Sequence, residues 1–201
     1  MRTRITRCWI AAPALLLGFS ACGVDTQAPT ADRESSPEVP VRIAQASLAS
    51  GVSTVTELVS TAQATVLATA GESVEEPLAM DPTIVMTTQE FTVDKALSGL
   101  AGEKAVKVKF TGGLVTAGTK EPYRLQLEGQ PPFEKGHQYF LALLGPGEDG
   151  TYGVLGGAQG RYEVADGVLH AVAGTDEDAV VSLIDGTKVP DTTRELAALD
   201  R

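Results

Sequence analysis

The sequence predicts a mainly β domain: a small barrel of five or six strands, with one short helix before it and another at its end. Three observations carry this. Among 201 residues, 21 are Gly and 11 are Pro, a composition that supplies turns at short intervals and works against long helices. Aromatic residues make up 5% against 43% hydrophobic residues in all, so the core must be filled mainly by Val, Leu, Ile and Ala. From about Leu48 onward, short runs of alternating or apolar residues are separated by Gly-containing turns. Such a series makes a closed barrel or a sandwich, and one long strand with few aromatics favours the barrel.

The elements follow in order. Residues 53–63 (STVTELVSTAQ) fit one helix, with Ser53 as a cap and Val55, Leu58, Val59 and Ala62 on one face. Residues 64–70 are a strand. Residues 83–97 are a long strand whose Val85, Thr87, Gln89, Phe91 and Val93 share one side. Residues 104–110 (KAVKVKF) alternate, with Lys104, Lys107 and Lys109 toward water or an edge. Residues 123–127 follow a glycine-rich loop, and 138–144 (QYFLALL), the most apolar run, belong at the centre of the sheet. Glu148-Asp149-Gly150 and Asp166-Gly167 are hairpin signals around short strands at 151–155, 161–164 and 168–171. Residues 178–184 suit helix or strand equally. Thr192 and Glu195 have capping-box spacing before a short terminal helix.

The first 47 residues have a different character. Residues 1–7 carry Arg2, Arg4 and Arg7 and no acid, and residues 8–19 are apolar but too short to cross a bilayer, which takes about 18 or more apolar residues. Phe19-Ser20-Ala21-Cys22 then resembles the lipobox of bacterial lipoproteins, with Phe19 where leucine is usual. The resemblance implies a signal peptide over 1–21, cleavage before Cys22, and diacylglyceryl and palmitate-type acyl chains on that cysteine. Membrane contact would then be made through the lipid anchor, on the extracytoplasmic face, since two acyl chains hold a protein stably where one does not. Residues 23–40 are polar, contain three prolines and no aromatic, and are expected to form a disordered tether. It is taken to run from Cys22 to residue 47, and about 25 such residues span about 25–30 Å. The barrel domain would occupy 48–201.

A second resemblance rests on turn and core residues. Leu58-Val59-x-x-Ala62, Phe91-x-Val93 leading to Leu97-Ser98-Gly99, Pro132-Phe133-x-x-Gly136-x-x-Tyr139-x-x-Ala142-Leu143 and Gly156-Gly157-x-Gln159-Gly160 resemble a series found in uncharacterised exported bacterial proteins. Their core is similar to the OB-type barrel of netrin/TIMP-like domains, over about residues 54–164. The metalloprotease inhibitors of that group use an N-terminal Cys-x-Cys, which this chain lacks, so that activity is not implied.

Composition and motifs exclude several classes of function. The net charge is −10, and loss of the three arginines in 1–21 leaves 13 basic residues against 26 acidic ones. Such a surface repels phosphate backbones, so no nucleic-acid partner is expected. Cys8 and Cys22 are the two cysteines, and only Cys22 survives cleavage, which rules out an internal disulfide or a CxxC motif in the mature chain. His137 and His170 have no second ligand at helical spacing, so neither a metal site nor a cofactor is expected. No GxSxG or Ser-x-x-Lys arrangement occurs, and no catalytic residue is assigned. Gly156, Gly157, Gln159 and Gly160 with Arg161 form the densest glycine run, but a strand-like segment follows where a phosphate loop needs a helix. The structural alternative is a tight bend; the functional one is a rim loop that lets a ligand approach backbone N–H groups, with Arg161 supplying charge. The acidic runs 148–149 and 176–178 suit turns or a cap at Asp178 better than calcium. Tyr123, Tyr139, Tyr152 and Tyr162 suit half-buried packing better than a binding face.

The expectation is therefore a non-enzymatic cell-envelope lipoprotein that presents a binding or interaction domain, with a glycan, a peptide or an envelope protein as partner. Residues 111–121 and 156–161 are the expected rims. The alternatives are a structural component of envelope assembly and a hydrolase whose carboxylates come from separate loops.

Overall fold

A computed structural model describes residues 39–45, 51–100, 102–173 and 178–200. The segment expected to direct export, Cys22 and most of the expected tether lie outside the described residues. Nine strands belong to one sheet: β1 (Val41–Ala44), β2 (Ala64–Leu78), β3 (Asp81–Ser98), β4 (Ala105–Val115), β5 (Tyr123–Leu127), β6 (Gln138–Leu144), β7 (Gly153–Val154), β8 (Arg161–Ala165) and β9 (Val168–Ala171). Among the described residues three short α-helices accompany them: α1 (Val55–Thr61), α2 (Ala179–Ile184) and α3 (Thr193–Ala197). No helix among the described residues is long and apolar enough to cross a membrane.

The sheet order is β1-β5-β4-β3-β2-β6-β8-β9, with β7 paired to β6. All pairs are antiparallel except β1 with β5. Register shifts along β2 and β3, at Thr65/Val66, Leu67/Ala68 and Ala70/Ser73, curl the sheet strongly, as bulges do by adding local twist. Gln89 fixes one of them, its Nε2 donating to the Gly71 carbonyl at 2.6 Å. The curl brings β4 to the residues before β7. Lys109 N–H donates to the Tyr152 carbonyl and Tyr152 N–H to the Lys107 carbonyl, each at 2.8 Å, in a parallel bridge between Val108 and Tyr152.

Both faces of the central strands are buried, and period two divides them. Ala64, Val66, Ala68 and Ala70 of β2 and Tyr139, Leu141 and Leu143 of β6 point into the concave interior with Phe91, Val106, Val108 and Phe133. Leu67, Phe140 and Ala142 point the other way and are covered by Val55, Leu58, Val180, Val181, Ile184 and Leu196 of the helices. Full burial of each such Leu or Phe side chain contributes about 2–3 kcal/mol. This explains why β6 is a continuous apolar run rather than an alternating one.

The helices are short and rely on caps. Thr54, one residue after the expected Ser53, caps α1 by accepting from Glu57 N–H at 3.0 Å, while Glu57 Oε2 accepts from Ser53 N–H. Asp200, near the far end of the chain, accepts from Val55 N–H at 2.9 Å and Thr56 N–H at 2.6 Å. Asp178 caps α2, which settles 178–184 as helix. Thr192 caps α3, with Glu195 reaching back to Asp191 N–H. Asp166 and Gly167, both at positive φ, form the β8–β9 hairpin turn expected there.

Two expectations need correction. The sheet has nine strands rather than five or six, because β1 and β5 extend it beyond the long β4 while β8 and β9 continue it past β6 beneath the helices. The expected tether to residue 47 includes Val41–Ala44, which forms strand β1. Arg124 N–H donates to the Pro40 carbonyl and Glu128 N–H to the Ala44 carbonyl, and the Arg42 guanidinium lies 4.0 Å from the Tyr123 ring centroid. The folded unit therefore begins before residue 48.

Candidate functional site

The glycine run 156–160 is a single turn of 3-10 helix packed inside the fold. A Cβ on Gly160 would stand 2.2 Å from the Leu155 carbonyl oxygen, so the backbone there passes too close for any side chain. Gln159 holds the turn: its Oε1 accepts from Val52 N–H at 2.9 Å, and its Nε2 donates to the Val52 carbonyl and to Asp178 Oδ2, each at 2.8 Å. Gln159 thus ties the approach to α1 to the cap of α2. Gly156, Gly157, Gln159, Gly160 and Arg161 are all buried, not at a rim.

Arg161 opens β8 opposite Leu141, and its side chain lies in the concave interior. It is 2% exposed, and its guanidinium carbon is 3.8 Å from the centroid of the Phe133 ring. Its Nε and Nη2 have no hydrogen-bond partner among the described residues. Burial pulls its pKa down to about 10, partly offset by Tyr139. Phe133 in turn meets Phe91, Phe110 and Tyr139 edge to face, at centroid distances of 4.9, 5.4 and 5.0 Å. The Tyr139 hydroxyl accepts from Glu134 N–H at 2.9 Å, which pins the segment that carries Phe133. Burial holds the Tyr139 phenol above the usual tyrosine range, so it stays protonated.

A groove of about 350 Å³ opens above this aromatic layer, between the upper halves of β2–β4, strand β5 and residues 130–133. Phe110, Pro132, Phe133, Val41 and Leu125 give it apolar walls; Ser73, Thr87, Gln89, Gln126 and Gln130 add neutral polar groups. Its two charges are paired: Arg124 Nη1 donates to Glu75 Oε1 at 2.8 Å, and Glu75 Oε2 accepts from Leu114 N–H at 2.7 Å. Thr87 Oγ1 donates to the Gly112 carbonyl at 2.6 Å. Gly113, at φ 138°, makes room for this wall: a Cβ there would meet Val85 Cγ1 at 2.6 Å and Glu75 Cδ at 3.1 Å. Volume, apolar lining and a few converging polar groups are the features of a small-ligand site at a barrel mouth.

Sequence reasoning marked residues 111–121 as a rim, and Thr111, Gly112 and Gly113 do line the groove. It missed Ser73, Glu75, Arg124, Gln126 and Gln130. The available signal was Thr87 and Gln89 within the inward stripe of β3, where an apolar side chain would otherwise stand. His137 lies between Glu163, with Nδ1 2.7 Å from Oε1, and Glu134, with Nε2 3.4 Å from Oε2. His170 is exposed on β9. Among the described residues no three His, Cys, Asp or Glu side chains are grouped to hold a metal ion. Tyr139, Tyr152 and Tyr162 are buried and Tyr123 is half-buried beneath Arg42, so the tyrosines form no common face. Comparison with protein-family models and with curated proteins finds no match for this chain.

Proposed function

We propose that the chain is an exported lipoprotein, anchored through Cys22, whose folded part is a non-catalytic binding domain with its ligand in the groove above Phe133. The observation that carries the binding role is the groove itself: it is partly open, of ligand size, and lined by neutral amides and hydroxyls beside Phe110, Pro132 and Phe133. That lining suits a peptide or a glycan, both of which offer amide or hydroxyl groups next to apolar faces. The ring formed by β2, β3, β4, the Tyr152 segment with β7, and β6 supports an OB-type reading. Its three-stranded meander, parallel step at Val108–Tyr152 and return to β2 through β6 are the connections such a barrel needs.

The test is calorimetric titration of the mature protein with envelope-derived peptides and glycans. A double change of Gln126→Ala and Gln130→Ala should abolish binding without lowering the melting temperature. Unchanged binding would move the ligand elsewhere. For the anchor, Cys22→Ala expressed in the native host should appear in the soluble fraction, and mass spectrometry of the natural protein should find an acylated residue 22. Membrane retention of the variant would overturn the lipid assignment.

A role in envelope assembly is the second reading. It is supported by β1, a sheet-edge strand whose Val41 and Ile43 are 55% and 65% exposed.

A further inference from the structure

We infer that the ligand is an extended peptide segment bearing basic residues, and that it binds by adding a strand to the free edge of β1. The inference rests on the binding role proposed above and adds the class of ligand. β1 ends the sheet and, among the described residues, pairs with β5 alone. The Pro40 and Ala44 carbonyls accept from the N–H groups of Arg124 and Glu128. In a parallel pair, alternate residues of a strand turn their main-chain groups to opposite edges. Arg42 therefore faces β5, and the N–H and C=O of Val41 and of Ile43 face away from the sheet. These are the donors and acceptors that a further strand uses. Val41 also lines the groove. A strand added beside it carries the curl of the sheet further around the groove, and every second side chain of that strand turns inward. In such complexes main-chain bonds give affinity, and pockets for alternate side chains give selectivity.

A second free edge borders the groove but is less suited. Ser73 and Glu75 of β2 line the groove. Beyond Ala70, whose carbonyl accepts from Gly136 N–H, β2 pairs with β3 alone among the described residues. That stretch carries Glu72, Glu76 and Pro77, residue types that blunt strand pairing. β1 has no proline within it, and its one charge, Arg42, is folded over the Tyr123 ring. Charge decides the occupant. Acidic residues outnumber basic ones 26 to 16, and Glu72 and Glu76 are exposed. Such a surface attracts a basic segment, whereas a second copy of the chain brings the same negative charge and is repelled.

The experiment titrates acetyl-Lys-Val-Thr-Val-Thr-Val-Lys-amide into the mature protein by calorimetry and follows backbone amide exchange by NMR. Binding should slow exchange at the Val41 and Ile43 N–H groups and leave Arg42 N–H, which faces β5, as it was. N-methylation deletes main-chain donors and keeps the side chains. Methylating all the valines, or all the threonines, strips one edge of the peptide or the other, so at least one of the two should weaken binding about tenfold or more. Exchange of both lysines for glutamate should weaken it as well. Ile43→Pro removes an outward N–H and keeps the bonds to β5, so it should lose binding at an unchanged melting temperature. If that variant melts early, the methylated peptides decide alone. Binding that survives both methylations, that leaves exchange at Val41 and Ile43 unchanged, or that ignores the lysines would overturn the inference while the groove remains a binding site. Failure of this peptide where a glycan binds would do the same. Binding of neither would remove the binding role too. Sedimentation of the protein alone is the control: a dimer that Ile43→Pro dissolves would give the edge to a second copy, and the inference fails.

Discussion

The Arg161 guanidinium is stacked on Phe133 at 3.8 Å, and among the described residues no carboxylate pairs with its Nε or Nη2. Among the described residues Arg161 is the one buried side chain with a formal charge. A desolvated cation–π contact contributes about 2 kcal/mol. Burying the ion costs several kcal/mol even after relaxation. The balance is unfavourable, which agrees with the pKa pulled down to about 10 by burial.

The first prediction follows from that balance. Arg161→Met keeps the volume and the contact with Phe133 while removing the ion. It should raise stability by about 1–4 kcal/mol, as exchange of buried ions for apolar groups often does. Thermal unfolding at pH 7 checks it. A lowered melting temperature would mean that Nε and Nη2 are satisfied in the folded protein.

Tyr162 gives a second, pH-dependent prediction. Its hydroxyl is buried without a hydrogen-bond partner among the described residues. Burial, followed by the charges of Asp178 and Asp185, raises its pKa well above the ordinary tyrosine range. The folded chain therefore holds this proton after the unfolded chain has lost it. Its stabilising effect is complete below about pH 10 and declines as pH rises from there. Tyr162→Phe should gain about 1 kcal/mol at pH 7 by deleting the orphaned hydroxyl. It should also flatten the fall in stability above pH 10, with Tyr139 and Tyr152, also raised by burial, keeping part of the slope. Arg161 acts in the opposite sense from about pH 10 upward, because a base held below its usual value leaves the folded chain with fewer protons. Alkaline denaturation curves of the two variants separate these contributions.

Much of the fold was legible because local pattern and tertiary role agree. The inward stripe Val85, Thr87, Gln89, Phe91 of β3 is visible as period two, and all four are buried. The caps at Thr192 and Asp178 and the turn at Asp166-Gly167 depend on neighbours within a few residues. What escaped depends on distant partners. Four residues at Val41–Ala44, beside Pro40, carry no strand signal of their own, and their order comes from parallel pairing with β5, some eighty residues on. The bridge from Val108 to Tyr152 across the curl of the sheet is equally non-local. The same holds at the site. The glycines before Arg161 read as either a tight bend or a rim loop, and what decides for the bend is distant: the Gly160 backbone passes close to the Leu155 and Ala142 carbonyls. Glu75 and Arg124 look like ordinary surface charges until the curl of the sheet brings them to 2.8 Å.

Gln159 is the third test. One amide satisfies both polar groups of the Val52 backbone and also Asp178. Gln159→Leu would leave the buried Val52 N–H unpaired and release α1 from the cap of α2, at a cost of about 2–3 kcal/mol. Urea denaturation measures the loss. A change below about 0.5 kcal/mol would show that water replaces the amide.

The last prediction concerns the space that makes the groove. Gly113 lies at φ 138°, and a Cβ there would be 2.6 Å from Val85 Cγ1 and 3.1 Å from Glu75 Cδ. Gly113→Ala should therefore cost about 2–3 kcal/mol through backbone strain and overpacking. It should also displace Glu75 from Leu114 N–H and Arg124, disturbing the polar wall of the groove. Val85→Ala removes the closest of the colliding atoms but leaves the φ requirement. The two changes should be non-additive: Val85→Ala destabilises the natural chain, and in the Gly113→Ala background it should destabilise less. The expected coupling is about 1 kcal/mol. Strictly additive losses would mean that Val85 does not confine Gly113, and that backbone strain alone accounts for the glycine.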